Sequence, residues 1–63
     1  MSNPRLFGAV LADVRENALR AMLAAMPNDS LRKRCVMDLQ ADGVITADET
    51  ALAFYLFPGM RDV

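Results

Sequence analysis

Pro4-Arg5-Leu6-Phe7-Gly8-Ala9-Val10-Leu11-Ala12-Asp13-Val14-Arg15-Glu16-Asn17-Ala18-Leu19-Arg20-Ala21-Met22-Leu23-Ala24-Ala25-Met26 reads as one long helix, and the fold is built around it. Proline suits a first helical position, where its missing N–H costs nothing, and Asn3 before it is the expected N-cap. The interior is rich in Ala, Leu, Met, Arg and Glu, which are strong helix formers. Glu16 and Arg20 have the spacing of a favourable i,i+4 pair. Pro27 stops the helix at about Met26.

Working outward, Pro27-Asn28-Asp29-Ser30 is a cluster of turn residues. A second helix is expected over residues 30–41, where Leu31, Cys35 and Leu39 recur every fourth position and Val36 widens the stripe. Arg32, Lys33 and Arg34 crowd its start, the unfavourable end of the helix dipole for cations. They are therefore candidates for polar contact with an acidic partner. Asp42-Gly43 closes this helix, because glycine takes a left-handed cap conformation without steric cost. Thr46-Ala47-Asp48-Glu49 is a capping box that opens a third helix over residues 47–57. Pro58-Gly59 ends it, and residues 60–63 are expected to fray. The reading is a single all-α domain over residues 1–63, a compact three-helix fold with one long N-terminal helix packed by a hairpin of two shorter ones.

Composition narrows the function. A 63-residue chain buries only about 60% of its unfolded surface, and such chains usually need a disulfide, a metal or a partner. Cys35 is the only cysteine and there is no histidine. Neither an internal disulfide nor a closed zinc site is available, and no imidazole activates the thiol. A partner chain remains, so a homodimer or a tight hetero-complex is expected. The net charge of -1 offers no pull toward nucleic acid. No apolar run approaches the ~20 residues of a membrane span. The short run over residues 6–12 meets Asp13, Arg15 and Glu16 with no cleavage site, which is unlike a secretory leader. A cytoplasmic protein without cofactor is expected. No nucleophile motif or phosphate loop points to an enzyme.

On a helical wheel the long helix has two apolar sectors. Phe7, Val10, Leu11, Val14, Ala18, Ala21, Met22 and Ala25 share the broader arc, which is read as the core face. Ala12, Leu19, Leu23 and Met26 form a second sector, separated from the first by Arg15. Two short helices are not expected to cover both, so Ala12, Arg15, Leu19, Leu23 and Met26 are assigned to an interface. Phe54, Tyr55 and Phe57 join them, because the end of the third helix is apolar nearly all round.

The segment Asp38-Leu39-Gln40-Ala41-Asp42-Gly43-Val44-Ile45-Thr46-Ala47-Asp48-Glu49 resembles the calcium loop of the EF-hand family. The resemblance implies Asp38, Gln40 and Asp42 as side-chain ligands and Gly43 at the sharp turn. It implies further ligation by the Val44 carbonyl, by Thr46 through water and by both oxygens of Glu49. Gln40 stands where that family usually has Asp or Asn, and no second loop is present. A helix stop followed by a capping box accounts for Gly43, Ile45, Thr46 and Glu49 without a metal. The short turn between the second and third helices also fits a helix-turn-helix reader of DNA. The would-be recognition helix, however, opens with Asp48 and Glu49 and carries no base-reading cation. The leading expectation is a small non-catalytic interaction module that regulates or inhibits a larger protein by occluding it. The antagonists of phages and mobile elements supply the analogy.

Overall fold

The computed structural model describes the backbone from Pro4 and the side chains from Leu6 to the C-terminus; Asn3, the expected N-cap, lies outside the described residues. The order is α1 (Pro4–Ala24), α2 (Asp29–Ala41), α3 (Ala47–Leu56) and a short 3-10 helix (Pro58–Asp62). The fold is all-helical, as the two turn clusters and the capping box require.

The helix boundaries follow from local chemistry. α1 stops at Ala24 rather than Met26, because the residue before a proline is forced out of the helical region. Its last turn tightens, with the Met26 N–H donating to the Leu23 carbonyl at 3.1 Å. α2 starts at Asp29 because Asn28, not Ser30, is the cap: its side chain accepts from the Leu31 N–H at 2.9 Å. Gly43 holds φ +75, the left-handed stop expected of it. Both arms of the capping box form, with Glu49 N–H to Thr46 Oγ1 at 3.1 Å and Thr46 N–H to Glu49 Oε1 at 3.0 Å.

The core consists of Leu19, Leu23, Val36, Ile45, Ala53 and Met60, with Met26, Leu39, Phe54 and Phe57 packed against it. Met60 is fully buried, so the end of the chain does not fray. The 3-10 helix folds back onto α2 and supplies a large, fully buried apolar side chain, whereas the buried side chains of α3 are only Thr50 and Ala53. Gly59 permits this approach, since a Cβ there would sit 2.2 Å from Asp29 Oδ2. Among the described residues the one buried polar side chain, Thr50, donates to the Thr46 carbonyl at 3.1 Å.

The packing is concentrated at one end of α1. The helix has 21 residues and so is about 31 Å long, whereas α3 with 10 residues spans about 15 Å. Every described residue from Leu6 to Arg15 is exposed. The radius of gyration is 13.0 Å, against about 11 Å for a spherical chain of this length. The first half of α1 therefore extends past the globule that α2, α3 and its own second half enclose.

Candidate functional site

The structure reverses the two faces of α1. Leu19 is 5% exposed and Leu23 fully buried, and Met26 packs partly buried against the same core. These residues were expected at an interface, and they are the inside of the domain instead. Conversely, Phe7 at 62%, Val10 at 53% and Val14 at 58% are exposed, together with Leu6 and Leu11. Of these, Phe7, Val10, Leu11 and Val14 were expected to form the core. The two faces lie roughly 150° apart around the helix.

The cause is reach. α2 and α3 meet only the second half of α1, and there the broader arc offers Ala18, Ala21 and Ala25, while the narrower one offers Leu19, Leu23 and Met26. The larger side chains bury more apolar area, so the narrower arc goes inward. Sequence reasoning counted apolar positions over the full helix and so missed Leu6, Phe7, Val10, Leu11 and Val14 as the exposed set. Comparing the helix lengths would have found them.

The remaining interface candidates divide. Ala12 is exposed. Phe54 and Phe57 are partly buried against the core, whereas Tyr55 is largely exposed. Arg15 is engaged within the chain. Its Nε and Nη2 donate to the Glu49 carboxylate at 2.9 and 2.7 Å, and Nη2 also donates to the Val44 carbonyl at 2.9 Å. This pair ties α1 to the start of α3. The Glu16–Arg20 pair does not form: among the described residues the ion pairs are Arg15–Glu49 and Arg32–Asp29.

The basic cluster also has internal duties. The Arg32 Nε donates to the Leu23 carbonyl and Nη2 to the Met26 carbonyl, both at 2.7 Å, while Nη1 reaches Asp29 Oδ1 at 2.8 Å. Its guanidinium also lies over the Phe57 ring, 5.1 Å from the centroid. Arg32 thus satisfies the Met26 carbonyl just past α1 and adds a second donor to the Leu23 carbonyl at its end. Lys33 donates to the Val63 carbonyl. Arg34 alone of the three remains exposed. The unfavourable placement of these cations at the start of α2 is explained by contacts to α1 and to the chain end.

The calcium-loop resemblance does not carry into the geometry. Residues 38–41, which would open the loop, are still helical. Glu49 and the Val44 carbonyl, two of the implied ligands, are both hydrogen-bonded by Arg15. Among the described residues no three His, Cys, Asp or Glu side chains are grouped to hold a metal. The guanidinium takes the place beside Glu49 that a cation would need.

The same contact sets a pH dependence. Glu49 is held down at about 2, chiefly by the Arg15 hydrogen bond and then by the Thr46 N–H. Folding lowers this pKa, so the pair stabilises the fold above the ordinary carboxylate range and loses that effect as pH falls from about 4.5 toward 2. The half-exposed position of Arg15 keeps the contribution small. Thermal melts of wild type should therefore lose midpoint temperature across this window more steeply than melts of Glu49→Gln. Parallel curves would show that the pair contributes nothing.

Beside the exposed stripe, Ala18 and Met22 also border an open cleft of about 240 Å³, which Leu39 and Ile45 floor and Arg15 and Glu49 rim. The apolar surface of α1 and the turn that follows it thus runs from Leu6 to Ala25 along one side. Comparison with known proteins adds nothing to this geometry: no family model, no curated protein and no solved structure matches the chain.

Proposed function

We propose that the chain is a non-catalytic protein-binding module, of the regulator or inhibitor type, that docks through the exposed face of α1. The observation that carries this reading is the stripe of Leu6, Phe7, Val10, Leu11 and Val14, all exposed on successive turns of one helix. Leaving five large apolar side chains in water forgoes several kcal/mol, at about 1.5–3 kcal/mol each for full burial. Contiguous apolar patches of this kind mark interaction sites. An amphipathic helix seated in an apolar groove uses i, i+3, i+4 and i+7 anchors, and Phe7, Val10, Leu11 and Val14 have that spacing.

A protein is favoured over a lipid surface as the partner. The polar side of α1 carries Asp13, Glu16 and Arg20, without the excess of cations that membrane-surface helices use. No described helix is long and apolar enough to cross a membrane.

The test is capture on immobilised wild type and on Val14→Asp, using extract of the cells that make the protein. A polypeptide retained by wild type and lost from the variant is the expected result. Identical retention by both removes α1 as the docking face. Val14 is exposed, so the variant should fold.

A further inference from the structure

The stripe on α1 has an order along its length that points to its occupant. Large side chains fill its first half, at Phe7, Val10, Leu11 and Val14. Its second half is small, with Ala18, Ala21 and Ala25 around Met22, and all of these are exposed. Resting on the docking face just described, we infer that the chain covering it is a second copy, with the two α1 helices antiparallel.

Set two α1 helices side by side in opposite directions, centred near Glu16. Phe7 of one copy then falls against Ala25 of the other, Val10 against Ala21, Leu11 against Met22 and Val14 against Ala18. Every large residue meets a small or flexible one, and two-fold symmetry repeats each contact. Interfaces of two-fold dimers are self-complementary in this way. Leu11 arrives on the flank where Ala18 and Met22 border the open cleft. A parallel pair would instead stack Phe7 on Phe7 and Ala21 on Ala21, crowding one end and leaving a gap at the other.

The area is also adequate. A compact folded monomer of 6.9 kDa exposes about 4000 Å² by the usual scaling of surface with mass. This chain exposes 4649 Å², an excess of about 650 Å² over that scaling. Burying that excess on both copies covers about 1300 Å², inside the range of stable specific interfaces. Leu19 and Leu23 hold the globule mainly on the other side of α1, and where it reaches the stripe it leaves the open cleft beside Ala18 and Met22.

Two measurements on the full chain test this. Sedimentation equilibrium should show a dimer, with Val14→Asp raising its dissociation constant about thirtyfold or more. In a Cys35→Ser background, a mixture of Val10→Cys and Ala21→Cys chains should form the mixed disulfide, while neither variant should link efficiently to itself. Far-ultraviolet circular dichroism confirms that each variant is helical, and Ala21→Arg gives a second disruption at an exposed site. A monomeric wild type, or self-linked Val10→Cys in preference to the mixed product, overturns the antiparallel pair. If wild type is monomeric yet captures a different polypeptide that Val14→Asp loses, the second copy is wrong and the docking face stands. If capture too is indifferent to Val14→Asp, both fail.

Discussion

Leu23→Ala should remove about 3 kcal/mol of folding stability, within the 2–5 kcal/mol range of buried leucine truncations. Leu23 is fully buried where α1 meets the rest of the core. Truncation both forgoes its burial and leaves a cavity that a small, helix-walled core collapses around only in part. The effect is large relative to the whole, because a single core in a chain of this size supplies about 3–5 kcal/mol in total. Urea titration followed by circular dichroism should show the midpoint falling to near zero denaturant. A loss below about 1 kcal/mol, typical of an exposed position, would place Leu23 outside the core.

Arg32→Met should cost about 1–3 kcal/mol, although arginine is a surface-type residue by composition. Its guanidinium satisfies the Leu23 and Met26 carbonyls and Asp29 at once, and covers the Phe57 ring. Methionine keeps the apolar stem but leaves the Met26 carbonyl without its donor, at about 1–3 kcal/mol for an unsatisfied buried group, whereas the Leu23 carbonyl keeps the Met26 N–H and Asp29 is solvated. The carbonyls are partly accessible to water, which limits the sum. Arg32→Lys should recover only part of the loss, since one ammonium does not span the carbonyls in fork geometry. Denaturation midpoints of the three proteins should rank wild type, lysine, methionine. Equal midpoints for Arg32→Met and wild type would show that the α1 terminus needs no such cap.

Much of the fold was legible in the sequence because its signals are local. Gly43 and the Thr46–Glu49 box carry their own backbone chemistry, and both behave as their residue types dictate. The choice of α1 face is not local. It depends on how far two later helices reach along the first, a comparison between elements that a wheel of α1 alone does not contain. The same holds for Arg32 and Lys33. Their crowding at the wrong end of α2 was visible, but the acceptors that explain it are the end of α1 and the chain terminus. Met60 was hidden for a related reason: a residue beyond Pro58-Gly59 looks like a tail until the core is seen to lack volume there.

The orientation of α1 is tested most directly by placing one carboxylate on each face and comparing thermal melts. Val14→Asp should keep native helicity and a cooperative transition, whereas Leu23→Asp should abolish the transition at every temperature. Loss of the transition in Val14→Asp with its retention in Leu23→Asp would mean that α1 packs the other way round.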